Sequence, residues 1–185
     1  MIVRGSELPG VLVCEPQAYS DGRGFFLETY RESTYGELGL GGRFVQDNHS
    51  RSSAGVLRGL HYQLGRPQAK LVQVVRGEVY DVAVDIRRGS PTFGRWVGVV
   101  LSDENHLQLY VPEGFAHGFC VLSETADFSY KCSDYYDPGS ECGILWNDSD
   151  IGIAWPREEV IVSPKDAALP RLSEQPCERL PLYHV

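Results

Sequence analysis

The sequence predicts an all-β fold, a closed sandwich or barrel trimmed with a few short helices, and three observations predict it. Short apolar runs with two-residue alternation recur along the chain, turn-forming residues separate them, and only two segments look helical. Residues 56–63 form one such run. Residues 70–75 and 78–86 alternate, are rich in Val and flank Arg76-Gly77, which reads as a hairpin turn. Residues 95–101 and 106–111 flank Ser102-Asp103-Glu104-Asn105, and residues 118–122 and 128–135 flank Ser123-Glu124-Thr125-Ala126, so the same architecture repeats. Strands at this spacing suggest closure into a sandwich or barrel. The helical segments, residues 32–38 and 163–169, are too short to organise a core.

A length of 185 residues suits a single domain, 1–185, with room for a ligand cavity. Nothing in it repeats, and no Pro/Gly/Ser linker separates two cores. A formal charge of -8 argues against a broad basic face for nucleic acid or anionic lipid, so an anionic ligand would be small and locally bound. The five cysteines, Cys14, Cys120, Cys132, Cys142 and Cys177, are odd in number and form no C-x-x-C pair. Neither a disulfide framework nor a zinc knuckle is suggested, and a reducing cytoplasm fits. Arg4, Glu7 and Pro9 interrupt any apolar run at the N-terminus, and no stretch has the length of a spanning helix, so neither signal peptide nor membrane anchor is expected.

By strict alternation, the run VLRGLHYQ (56–63) places Arg58, Leu60 and Tyr62 on one face and Leu57, Gly59, His61 and Gln63 on the other. A lone histidine there would ordinarily be a structural residue with one hydrogen bond. His61 has company: His117 lies in PEGFAHGF just before another apolar strand, and Lys70 opens the strand after the His61 loop. Three cationic or potentially cationic side chains bordering β-strands point to an interior that binds something.

The segments DGRGFFLETY (21–30), FVQDNHS (44–50), VLRGLHYQ (56–63), VYDVAVDIRRGSPTFG (79–94), PEGFAHGF (112–119) and YKCSDYYDP (130–138) closely resemble the dTDP-4-dehydrorhamnose 3,5-epimerase family. The resemblance runs in order from about residue 2 to residue 170. It implies a cupin-type jelly-roll β-barrel. It also implies epimerisation at C3 and C5 of dTDP-4-dehydro-6-deoxy-D-glucose, giving dTDP-4-dehydro-6-deoxy-L-mannose on the route to dTDP-L-rhamnose, with no redox change and no cofactor.

That chemistry explains the residue types. A proton next to the C4 ketone is acidified by the carbonyl, a base removes it, and an acid returns a proton from the opposite face. By resemblance the base is His61, whose imidazole can change protonation near neutral pH. The opposing acid is Tyr130, and Asp166 in SPKDA matches the carboxylate that orients the histidine. Lys70 matches a position near the C4 oxygen, where a fixed positive charge would stabilise the enolate. Arginine's rigid fork of donors suits a diphosphate, so Arg23 and Arg58 are natural clamps, with Lys165 as a helper. Gln46 and Asn48 suit directional bonds to a base edge; Asp47 between them is counted with the substrate-binding residues, although its side chain could simply cap a turn. Glu28, His117 and Glu141 fall at further ligand positions of the family. Tyr135 and Tyr136 read as packing or base-stacking residues.

Metal-binding cupins carry an H-x-H pair and a following Glu. Here Gln63 stands where the second His would be, and Lys70 where the Glu would be. Positive charge at a ligand position disfavours a cation, so no metal is expected. The loop between His61 and Lys70 is about one residue shorter than in several family members, and the tail from about residue 170, with Pro170, Pro176 and Pro181, carries no recognisable motif. Four rival readings are a single-carbon (C3 or C5) epimerase, a non-catalytic nucleotide-sugar-binding cupin, a metal-dependent cupin oxygenase, which would need the ligands missing above, and a 4-keto-sugar ketoisomerase. The combination of His61, Tyr130 and Asp166 argues against the binding protein. Kinship further implies a homodimer in which an N-terminal strand crosses to the partner's sheet and carries Arg23 and Glu28 to the neighbouring site.

Overall fold

The computed structural model describes residues 1–40 and 42–184. In chain order its elements are β1 (Ile2–Gly5), β2 (Leu12–Glu15), β3 (Ala18–Asp21), β4 (Gly24–Leu27), α1 (Glu32–Glu37), β5 (Gln46–Ser53), β6 (Val56–Gln63) and β7 (Lys70–Arg76). There follow β8 (Glu78–Asp85), β9 (Trp96–Ser102), β10 (Gln108–Val111), β11 (Phe115–Val121), β12 (Thr125–Cys132), β13 (Glu141–Gly143), β14 (Ile161–Val162) and α2 (Pro164–Ala167). Two sheets face each other, one ordered β1-β2-β10-β7-β12-β5 and the other β13-β6-β11-β8-β9, with β14 alongside β6. The all-β expectation holds, and the repeated crossing of the chain between facing sheets is the jelly-roll arrangement. No helix among the described residues is long and apolar enough to cross a membrane.

The expected hairpins are a correction. β7 pairs with β10 and β12, whereas β8 pairs with β11 and β9, so Arg76-Gly77 carries the chain from one sheet to the other. The links β9–β10 and β11–β12 also join strands of opposite sheets. Alternation and a tight turn look the same whether two strands lie side by side or face each other across a core. Gly77, at φ +80°, makes the corner: a Cβ there would lie 2.1 Å from the Thr125 carbonyl oxygen.

Between the sheets, Val72, Val74 and Phe128 from one wall meet Val79, Ala83, Phe119 and Val121 from the other. Phe119 and Phe128 stack at 4.1 Å between centroids. Each fully buried side chain of this kind contributes roughly 1.5–3 kcal/mol. The second sheet is covered on its outer face as well. Leu60, Tyr62, Val82, Val84 and Ile86 pack there against Ile144, Leu172 and Leu180. The proline-punctuated tail is thus a lid over that face. Tyr62 donates its hydroxyl to the Arg179 carbonyl at 2.8 Å, and the Arg88 N–H donates to the Pro181 carbonyl at 2.8 Å. On the first sheet's outer face Tyr35 of α1 is buried with Cys14, Leu40, Leu71 and Tyr110, and its hydroxyl donates to Gln108 Oε1 at 2.7 Å.

Strand β6 departs from the alternation expected of it. His61 is the partner of His117 on β11, but the next pair is Arg58 with Phe119, so three steps on β6 match two on β11. This bulge puts Arg58 and His61 on the same cavity wall, while Leu60 and Tyr62 join the outer cluster. Two glycines permit it. Gly59 has φ +125°, and a Cβ on it would lie 2.6 Å from Gly118 Cα; a Cβ on Gly118 would lie 2.6 Å from the Arg58 carbonyl oxygen.

Candidate active site

A cavity of about 520 Å³ opens between the sheets, lined by Arg58, His61, Lys70, His117, Tyr130, Lys165 and Asp166. A second hollow of about 320 Å³ continues it, sharing His61, Lys70 and Tyr130 and adding Gln46, Asn48, Cys132, Tyr136 and Glu141. His61 comes from β6 in one sheet and Tyr130 from β12 in the other, so they occupy facing walls.

Helix α2 delivers Asp166. Ser163 caps it, its hydroxyl accepting the Asp166 N–H at 3.0 Å, and Pro164 pre-sets the first turn. The buried carboxylate lies with Oδ1 2.8 Å from His61 Nε2, and Oδ2 accepts the Gly59 N–H at 3.3 Å. Burial pushes Asp166 upward, but the bond and charge of His61, with Gly59 and Ser163, hold it below the ordinary carboxylate range. It is therefore an anion that fixes the imidazole and stabilises its protonated form.

Tyr130 stays a proton-bearing phenol. Burial raises it, the nearby Cys132 adds to this, and Arg58 opposes. Lys70 is pushed the other way: burial lowers it, while Cys132, Asp81 and Glu141 work to keep its charge. Among the described residues no group of three or more His, Cys, Asp or Glu side chains is placed to share one ion.

The remaining candidates divide. Arg58 lies at the rim, its Nε donating to Ser52 Oγ at 3.0 Å. Gln46 donates to Asn48 Oδ1 at 3.1 Å and accepts the Tyr136 N–H at 2.8 Å. Glu141 clasps two neighbours, accepting from Lys165 Nζ at 2.6 Å and from the Tyr136 hydroxyl at 2.8 Å. Asp47 caps no turn. It sits within β5 on the outward face, paired with Lys131 at 2.9 Å, because alternation turns it away from its cavity-lining neighbours Gln46 and Asn48. Arg23 and Glu28 belong to the β3–β4 ribbon and its exit, where they pair with Asp21 and Arg31; neither lines the cavity of its own chain.

Sequence reasoning passed over Asp81, Gly59 and Ser163. Asp81 is fully buried, with His117 Nε2 at 2.9 and 3.0 Å from its two oxygens. Its signal was available: alternation puts this carboxylate on the same face of β8 as Val79 and Ala83.

A family model described as dTDP-4-dehydrorhamnose 3,5-epimerase matches residues 5–174. The dTDP-4-dehydrorhamnose 3,5-epimerase of Salmonella typhimurium is 57% identical over 177 residues, covering 94% of this chain and 97% of that protein. That of Neisseria gonorrhoeae is 56% identical over 169 residues, 91% of this chain but 52% of the relative, so the chain spans about half the length of that protein. Among solved structures, the dTDP-6-deoxy-D-glucose-3,5-epimerase of Legionella pneumophila, in complex with dTDP-4-keto-L-rhamnose, superposes with a TM-score of 0.97 at 54% identity. The match covers 100% of this chain and 99% of that one.

Proposed function

The chain belongs to the dTDP-4-dehydrorhamnose 3,5-epimerase family, and on that footing we propose that His61, Asp166, Tyr130 and Lys70 carry its epimerisation. Its reaction is that of a dTDP-4-dehydrorhamnose 3,5-epimerase in dTDP-rhamnose biosynthesis. The observation that carries the assignment of roles is the 2.8 Å His61–Asp166 pair facing Tyr130 across one cavity.

Asp166 holds His61 through Nε2, leaving Nδ1 to take the proton from the carbon next to the C4 ketone. The C–H electron pair moves into the C3–C4 or C4–C5 bond, and the carbonyl pair moves onto the C4 oxygen. Lys70 faces that developing anion as an ammonium group; a preorganised donor of this kind is worth about 3–4 kcal/mol of barrier. Tyr130 then delivers its phenolic proton to the opposite face, inverting the centre, and exchange with water restores both groups. Running this twice, at C5 and at C3, converts dTDP-4-dehydro-6-deoxy-D-glucose to dTDP-4-dehydro-L-rhamnose.

Arg58 and Lys165 are the diphosphate contacts available within the chain, and Gln46, Asn48 and Tyr136 border the end suited to thymine. His117 and Glu141 complete the polar lining. Arg23 and Glu28 serve the neighbouring subunit's site in a homodimer. The β3–β4 ribbon supports this, since it exposes Tyr19, Phe25 and Phe26, an apolar surface that a partner would cover. A cytoplasmic setting suits the five unpaired cysteines.

Proton NMR of dTDP-4-dehydro-6-deoxyglucose with the enzyme in deuterated buffer tests the reading. Deuterium should enter at both C3 and C5. Entry at one carbon alone would make the chain a single-carbon epimerase, and entry at neither would return it to a binding role.

A further inference from the structure

His117, which lines the cavity, is paired behind the wall with a buried carboxylate for which the mechanism above has no use. Asp81 lies on β8 with 0% exposure, among core residues such as Val79 and Ala83. A buried carboxylate is expensive, and an apolar residue of similar volume would serve the core at least as well. Both of its oxygens are satisfied by one donor, His117 Nε2, on the neighbouring strand β11. Burial raises the Asp81 carboxyl, and the charge and hydrogen bond of His117, with the charge of Lys70, oppose that rise. As a carboxylate Asp81 only accepts, an arrangement that needs the proton on His117 Nε2 and leaves Nδ1 for a ligand. Lys70 lines the same cavity as His117, the ring that Asp81 holds, and from behind that ring the Asp81 charge favours the ammonium form of Lys70 against burial.

We propose that Asp81 is a positioning residue for the epimerisation, fixing the His117 ring with Nδ1 free for the substrate and supplying the counter-charge that keeps Lys70 protonated beside the enolate. This rests on the reading of Lys70 as the enolate's partner. The charged and titratable groups lining the cavity with Lys70 are Tyr130 and Cys132 from β12, Arg58 and His61 from β6, His117 from β11, Glu141 from β13, and Lys165 and Asp166 from α2. Asp81 lies behind His117 with 0% exposure; of the cavity's own carboxylates, buried Asp166 is already engaged by His61, and partly exposed Glu141 by Lys165. Removing the Asp81 charge lets Lys70 release its proton more readily, so the alkaline limb of kcat moves to lower pH.

The test is Asp81→Asn, which keeps the shape and removes the charge. The expected result is a kcat lower by about tenfold or more with KM within about twofold, and an alkaline limb displaced to lower pH. In a Lys70→Met background Asp81→Asn should no longer move that limb. A folded Asp81→Asn enzyme with wild-type kcat and pH profile, alongside an inactive His61→Ala, would overturn this inference alone; an active His61→Ala would instead overturn the reading beneath it. Should Asp81→Asn not fold, nitrogen-15 NMR of histidine-labelled wild-type enzyme decides. A proton on His117 Nε2 is expected, and a bare Nε2 would refute the proposal.

Discussion

His61 and His117 are direct partners across strands β6 and β11, and each has its own buried carboxylate, Asp166 at 2.8 Å and Asp81 at 2.9 Å. The pairing is a product of the bulge at Gly59. Ordinary register would have separated Arg58 from His61 by a face; the extra residue gathers both, with His117, onto one wall.

Tyr130→Phe keeps the ring that packs at 5.8 Å from Phe128 and removes only the hydroxyl. Reprotonation should suffer more than deprotonation. Product formation should fall by roughly two to four orders of magnitude, while solvent exchange into recovered substrate falls less. Parallel NMR measurement of both rates checks this, and equal losses would remove Tyr130 from its role.

Gly59→Ala places a methyl group 2.6 Å from Gly118 Cα and 2.9 Å from the His117 carbonyl oxygen at φ +125°. A cost of about 2 kcal/mol or more is expected, lowering Tm by roughly 4–8 °C. Gly5→Ala, with nothing within 4 Å, is the control and should stay within about 0.5 kcal/mol of wild type. Scanning calorimetry of the two variants separates a site that needs glycine from one that merely has it.

Asp127 is held down to about 2, chiefly by the hydrogen bonds from Arg51, against burial, with His49 assisting. Its folded value lies below the unfolded value of about 3.9, so its contribution to stability is full above that pH and is lost as pH falls toward about 2. Asp127→Asn should therefore melt lower than wild type near neutrality, with the gap closing in acid. Arg51 and His49 are exposed, so salt should narrow the gap too. Melting curves across that range would contradict the assignment if the gap persisted in acid.

If Arg23 serves the neighbouring site, Arg23→Ala and His61→Ala chains should each be inactive alone yet regain activity when co-assembled, because one of the two sites then has both residues. If Arg23 worked within its own chain, no mixture would recover. Activity of hybrids made by co-expression distinguishes the two arrangements, and sedimentation of the wild type should report a dimer.

Local signals were legible. The run at residues 56–63 became β6 with the same bounds, and the helical segment expected at 163–169 contains α2 (Pro164–Ala167). Strand partnership was not legible, because the Gly77 turn reverses the chain equally well into a hairpin or across a core. The same limit hid the β6 bulge: it depends on Gly59 meeting Gly118 from a strand almost sixty residues later. Of the site, His61, Lys70, Tyr130 and Asp166 fall in one cavity, while Asp47 faces outward since alternation within β5 outweighs its proximity to Gln46 and Asn48. Asp81 could have been found by asking which strand carries a carboxylate on its apolar face. The packing of the tail through Leu172 and Leu180 had no local signature, for a loop that covers a sheet needs only a few apolar residues at irregular spacing.

The most direct test is deuterium exchange at C3 and C5 by His61→Ala, compared with wild type in the same deuterated buffer. The expected result is loss of exchange at both carbons by at least about two to four orders of magnitude, with dTDP still bound. Near-wild-type exchange at either carbon would show that another base serves it and would contradict the role given to the His61–Asp166 pair.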